Sequence, residues 1–403
     1  MELQNLRLAL IELWKSAFSE INTLKMYEKE AISSVFSLSS RYELDNCTST
    51  NKITAGGKVS KVRPAETENY YEYGLDTEGY VVYSKSQHAW NKVYWAGFYK
   101  RAADSIEYIE FNLNTRVPSK VQRVTFEKGR IISRQTLIIN GGGGQKITQP
   151  IDTFMETILN NPHALFIDVQ VYLYENDNVF KVVGLSEMDD LMPFTYTDFY
   201  KYDEFDKLSE IKTHYANGQI VLKYIKPKTK TSINEQVNIV AEKLANWAIN
   251  KLKNTVFDSP LAFLHLHYRC VVDYLPYIIP ATEKGVEKSK KEKDFHYFTS
   301  PTDISFDDWI KITDDDIPEE FQVLIQTIHE KENWDSGTKM LRKMAKHITE
   351  AKLDCFSEDF VCFAADFSLE GHGEEEFKKI LIQCGATKTQ IKEWTKRGFF
   401  EEY

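Results

Sequence analysis

Apolar residues recur at helical spacing from the start of the chain. Leu3, Leu6, Leu10, Leu13, Trp14, Ala17, Phe18, Ile21 and Leu24 fall on one stripe, which predicts helix across residues 1–40. Residues 45–68 are polar and turn-rich, with Ala55-Gly56-Gly57-Lys58 among them, and read as a loop or linker. From 69 to 139 the period changes to two. Ile106-Glu107-Tyr108-Ile109-Glu110-Phe111 alternates like a half-buried strand, and Val121–Phe126, Glu127-Lys128-Gly129-Arg130 and Ile131–Ile139 read as strand, turn and strand. A short helix over Ile151–Leu159 interrupts the strands. They resume as Leu165–Tyr174 with Val179–Val183, and as Leu208–Tyr215 with Ile220–Ile225. Asn217-Gly218 in the last of these suits a type I′ hairpin turn. Short strands joined by tight turns predict an antiparallel sheet, because two-residue hairpins cannot join parallel neighbours.

Lys226-Pro227-Lys228-Thr229-Lys230-Thr231 breaks the pattern, and a different one follows. Ser232 with Glu235 three residues on reads as a capping box for a helix whose buried face carries Val237, Val240, Ala241, Leu244, Trp247, Ala248 and Leu252. Leu261–Val272 reads as strand and Glu283–Lys293 as a charged loop. Phe321–Ile328, Met340–Ala351, Phe377–Ile382 and Lys388–Lys396 read as helices, with a strand at Phe360–Ala365. The expected fold class is therefore α+β. An N-terminal helical segment plus an antiparallel β-sheet domain (1–228) precedes a second, acidic α+β domain (232–403).

Composition narrows the function classes. The 403 residues are 42% hydrophobic and 13% aromatic, enough for packed cores and unlike a disordered chain. A net charge of −10 argues against a nucleic-acid partner, which normally requires a basic face. No apolar run approaches a membrane span, and charges at Glu2, Arg7, Glu12 and Lys15 interrupt any secretory h-region. The five cysteines are scattered and odd in number, which suits buried thiols in a reducing cytoplasm. The expectation is a cytoplasmic chain with no membrane contact.

The charge is uneven. Residues 231–403 hold 22 Lys+Arg against 31 Asp+Glu, a net of −9, whereas residues 1–230 carry a net of −1. The acids cluster at Asp307, Asp308, Asp314, Asp315, Asp316, Glu319, Glu320, Glu374, Glu375 and Glu376. Such a surface attracts a basic partner by electrostatic steering. Aromatic density around Trp90 and Trp95 supplies a second candidate contact patch, since Tyr and Trp are enriched at recognition surfaces. His265 and His267 are two apart on the expected strand and so project to one face, where they could share a metal or do acid–base work. No third ligand has recognisable spacing, and two histidines on a solvated sheet face are the simpler expectation. The run Gly141–Gly144 lacks the Lys-Ser/Thr ending of a phosphate loop. No catalytic residue, metal site or cofactor is assigned.

The stretch 232–403 carries a further signal in its order of motifs. An amphipathic helix is followed by Leu261–Tyr268, Tyr277-Ile278-Ile279-Pro280-Ala281-Thr282-Glu283, Leu341-Arg342-Lys343-Met344-Ala345, Asp359–Asp366 and Ile391–Phe399. This order resembles an uncharacterised bacterial α+β domain family found among immunity proteins of polymorphic toxin systems. The resemblance implies a cytoplasmic protein that binds and blocks a toxin domain, and it transfers no catalytic residue. The leading expectation is thus a non-enzymatic protein-binding factor, an immunity protein neutralising a basic toxin domain through an acidic surface. A hydrolase using His265 and His267, with a metal or by acid–base work, and a scaffolding protein are the alternatives.

Overall fold

The computed structural model describes residues 2–44, 52–65, 69–87, 94–144, 146–161, 163–188, 193–227, 231–268, 274–292, 310–313, 316–331, 333–366 and 373–400. The chain is α+β, with helices and a large antiparallel sheet. It forms two compact units, Met1–Tyr202 with Ile211–Val221, and Asp203–Glu210 with Leu222–Tyr403.

Two helices open the chain, α1 (Glu2–Ala17) and α2 (Leu24–Glu30). Twelve strands follow: β1 (Ser33–Ser37), β2 (Tyr70–Leu75), β3 (Val81–Gln87), β4 (Tyr94–Arg101), β5 (Ser105–Asn112), β6 (Val117–Glu127), β7 (Arg130–Ile139), β8 (Leu165–Glu175), β9 (Asn178–Glu187), β10 (Phe194–Tyr202), β11 (Leu208–Tyr215) and β12 (Ile220–Ile225). Between β7 and β8 the chain makes a short 3-10 turn at Asn140–Gly143 and then α3 (Ile151–Leu159). The strands lie in the sheet in their chain order, an up-and-down meander. Its β6–β7 connection uses Lys128 (φ 52°) and Gly129 (φ 77°), both left-handed, as a type I′ turn requires.

Two sequence expectations are corrected in this part of the chain. Helix does not run through 1–40. The β-branched and serine-rich segment Ser33-Ser34-Val35-Phe36-Ser37 instead pairs antiparallel with β2, a long-range pairing that local periodicity cannot report. The turn at Asn217-Gly218 is not type I′. Only Gly218 is left-handed (φ 87°), Gly218 N–H bonds the Tyr215 carbonyl at 3.0 Å, and Tyr215 N–H bonds the Gln219 carbonyl at 2.9 Å. That is a three-residue connection closed by a glycine bulge.

One face of the sheet buries its alternate residues under the helices. Trp14 of α1 is fully enclosed, and its indole N–H donates to the Pro118 carbonyl at 3.0 Å. Around it gather Leu10, Phe111, Val121, Leu137, Ile167 and Val169. The other face is mixed. Tyr73, Val81, Tyr99, Ile106, Tyr108 and Val124 form a second apolar cluster, while β8 to β11 carry enclosed polar side chains. There the Tyr196 hydroxyl donates to Asp168 at 2.8 Å, Gln170 donates to Tyr196 at 2.6 Å, and Thr213 donates to Asp198 at 2.6 Å. Enclosed polar groups require such partners.

The remaining elements are α4 (Ile233–Lys253), β13 (Leu261–Tyr268), β14 (Tyr277–Thr282), α5 (Glu283–Glu292), α6 (Glu319–Lys331), α7 (Asp335–Glu350), β15 (Phe356–Asp366), α8 (Glu374–Gln383) and α9 (Lys388–Lys396). Ser232 caps α4 by accepting from Glu235 N–H at 3.3 Å. The segment expected to be a charged loop from Glu283 is α5. Its Lys and Glu residues are good helix formers, and the charge that suggested a loop leaves Glu283, Lys284, Glu287 and Lys288 exposed. A three-stranded sheet has the order β14-β13-β15, with β13 antiparallel to β14 and parallel to β15. Its central strand is buried on both faces. Tyr268 reaches Thr338 of α7 on one side, and Phe263 meets Trp394 of α9 on the other.

Candidate functional site

His265 and His267 share a face of β13, as strand geometry requires, with ring centroids 5.3 Å apart and planes at 84°. The expectation that this face is solvated is corrected: the two residues are only 8% and 7% exposed. The cover comes from distant residues. Phe363, opposite His265 on β15, stacks on its ring at 4.7 Å, and Phe377 of α8 packs edge-on to Phe363. Burial above all, then the neighbouring His267, depresses the His265 pKa to about 3, against a hydrogen bond to the Ala365 backbone that raises it. Its imidazole is neutral across the physiological range. Of the carboxylates near the two histidines in sequence, Asp258 is exposed and Asp273 lies outside the described residues. Among the described residues no group of three His, Cys, Asp or Glu side chains is placed to hold a metal.

The acidic residues separate into two places. Asp307, Asp308, Asp314 and Asp315 lie outside the described residues. Asp316 accepts from the Trp247 indole at 2.8 Å, from the Thr313 hydroxyl at 2.6 Å and from Thr313 N–H at 3.2 Å. The Thr313 hydroxyl contributes most to holding its carboxyl below the usual range. Glu319 and Glu320 open α6, where the helix dipole favours anions, and Lys243 pairs with Glu320 at 2.6 Å. Glu374, Glu375 and Glu376 open α8. Lys378 pairs with Glu374 and, at 3.2 Å, with Glu375, and Lys379 pairs with Glu376 at 3.3 Å.

The aromatic residues serve the core more than a surface. Tyr70, Tyr73, Phe98 and Tyr99 are buried, and Trp95 on β4 is half-buried, opposite Asn112 and Ser86 of the flanking strands. Trp90 lies outside the described residues.

A cleft of about 190 Å³ lies beside α6, with Ile225, Pro227, Ile239 and Val323 as its apolar walls and Glu319 and Glu320 among its lining residues. Lys226 also lines it, but its ammonium is engaged by Asp203. The fourth residue of α4, Gln236, lines the same cleft at 7% exposure. Its Nε2 donates to the Thr231 carbonyl at 3.4 Å, and its Oε1 is enclosed with no hydrogen-bond partner among the described residues. Reading the sequence missed Gln236, which looks like any polar position of an amphipathic helix. The cleft therefore combines carboxylates with aliphatic walls, and Gln236 is among its lining residues.

No family model matches the chain, and no curated protein does. Among solved structures the chain is similar to a porin-like protein from Bacteroides vulgatus. The match has 9% identity and a TM-score of 0.26, over 50% of this chain and 100% of that one. A likeness at that score carries no argument about function. Among the described residues no helix is long and apolar enough to cross a membrane.

Proposed function

We propose that the chain is a non-enzymatic protein-binding factor for a basic partner, and that the cleft beside α6 receives a lysine or arginine side chain of that partner. The observation that carries this reading is a single cleft that joins two carboxylates, Glu319 and Glu320, to the aliphatic walls Ile225, Pro227, Ile239 and Val323. The aliphatic walls suit the methylene stem of a long basic side chain, and the carboxylates suit its charged head. The net −9 of residues 231–403 would speed the encounter. The family resemblance supplies the class of partner, a basic toxin domain, and with it the role of an immunity protein.

The test is binding of a fluorescent oligoarginine peptide to the full chain. Saturable binding should weaken about threefold to tenfold in a Glu319→Gln, Glu320→Gln variant, and also when Val323→Asp breaks the aliphatic wall, with all affinities falling as salt rises. Binding that ignores both variants, or that does not change between low and high salt, refutes the reading.

A further inference from the structure

The last two helices, with five lysines against four glutamates, lack the acidic excess of the rest of the second unit, and their bases lie past the first turn of α8. From Phe377 to Phe400 there are six bases, Lys378, Lys379, Lys388, Lys392, Lys396 and Arg397, against the single acid Glu393. Helices α8 and α9 are joined by the tight turn Cys384-Gly385-Ala386-Thr387, in which Gly385 takes φ 104°, a conformation L side chains rarely adopt. Thr387 and Gln390 form a reciprocal capping box that fixes the start of α9.

Between the two helices runs a groove of about 540 Å³. Its lining follows helical spacing on both sides. From α8 come Glu375, Lys378, Lys379 and Ile382, and from α9 come Lys388, Ile391, Lys392, Thr395 and Lys396. Isoleucines provide the apolar floor. Ile382 is 42% exposed there. Five lysines form the rim, and three of them are partly engaged: Lys378 and Lys379 by Glu374–Glu376, and Lys396 by Glu393 at 2.6 Å. Lys388 and Lys392 are exposed and form no ion pair among the described residues. An apolar stripe flanked by cations is complementary to an amphipathic helix with an apolar stripe flanked by anions, the helix-in-groove mode of recognition.

We infer that the α8–α9 groove is a docking site for an acidic amphipathic helix of a partner protein. Nucleic acid fits these features less well. The Gln390 side chain, a natural base reader on α9, is committed to the capping box and to the Asp359 carbonyl, and three glutamates crowd the first turn of α8. This inference stands apart from the reading of the α6 cleft, because it uses other residues and a partner of opposite charge.

The experiment measures fluorescence anisotropy of a synthetic peptide of about 18 residues, long enough to be helical, with leucines at i, i+3, i+4 and i+7 spacing and glutamates between them. The full-length chain is the titrant. Lys388→Glu with Lys392→Glu tests the rim, and Ile382→Asp tests the floor. All three positions are exposed, and Lys388→Glu puts an anion in the first turn of α9, where the helix dipole favours it, so the fold is retained; circular dichroism checks this. Saturable binding that weakens about tenfold or more in both variants supports the inference, as does loss of binding when the peptide's glutamates become lysines. No binding, indifference to either variant, tighter capture of duplex DNA than of the peptide, or self-association of the chain that the peptide fails to compete, overturns it.

Discussion

Folding encloses His265 as a neutral imidazole, and that enclosure makes stability depend on pH in a definite direction. The free ring titrates near 6.5, whereas burial first and His267 second lower the folded value to about 3. Between those values the unfolded chain binds a proton that the folded chain refuses. Stability rises with pH wherever the unfolded state holds more protons. The His265 contribution is therefore complete above about pH 6.5 and is lost progressively as pH falls towards 3, at about 1.4 kcal/mol per pH unit. Acidifying from pH 7 to 4.5 should cost about 2.5 kcal/mol from this one residue. Carboxylates also titrate in that window, so the measurement must be a difference. Urea unfolding of the parent and of His265→Gln at a series of pH values supplies it. The glutamine variant is expected to be less stable at pH 7 but to lose about 2–3 kcal/mol less on acidification. Parallel stability curves for the two proteins across that range would show that the ring is hydrated or protonated in the fold, and would refute the reasoning.

Two further outcomes follow from enclosure elsewhere in the second unit. Alanine in place of glycine inside a helix normally stabilises by up to about 1 kcal/mol. At Gly337 in α7, however, a Cβ would lie 2.3 Å from the ring of Tyr274, which is fully buried and donates its hydroxyl to the Trp334 carbonyl. Gly337→Ala should therefore destabilise by about 1–3 kcal/mol in a thermal melt, and an unchanged or raised Tm would contradict the packing. Burial also raises the thiols of Cys362 and Cys384, the latter to about 11. Alkylation mapped by mass spectrometry at pH 8 should leave both unmodified until denaturant is added; rapid labelling in the native protein counts against the core described here.

Much of the architecture is legible in local patterns, and its limits are physical. Alternation in Ile106–Phe111 and the apolar run Phe360–Ala365 announce their strands because one or both faces of each are buried. The same rule places His265 and His267 on one face but is silent on what covers it, since Phe363 and Phe377 arrive from about 100 residues away in sequence. β1 escapes notice because its pairing partner, β2, begins more than 30 residues on. The acidic clusters were visible, and so were the lysines one turn from Glu374 and Glu376, but only the fold shows that these lysines answer them. Gln236 has no sequence signature at all, because an unmade hydrogen bond is a property of its surroundings.

Net charge gives an incomplete description of how this chain meets a partner. On approach to within a Debye length of about 8 Å, a partner senses the summed field of the second unit, which is negative and draws cations. At contact it senses individual groups, and these do not share one sign. Glu374–Glu376 are drawn towards Lys378 and Lys379, which leaves Lys388 and Lys392 as exposed cations of the α8–α9 groove. Near α6, Asp316 is spent on Trp247 and Thr313, and Glu320 is shared with Lys243. What distinguishes the α6 cleft is then the aliphatic wall beside its carboxylates more than their count. Long-range steering and short-range fit are separable on this reasoning. Neutralising distant acids slows capture of a basic partner, whereas altering the lining of the cleft changes how long that partner stays.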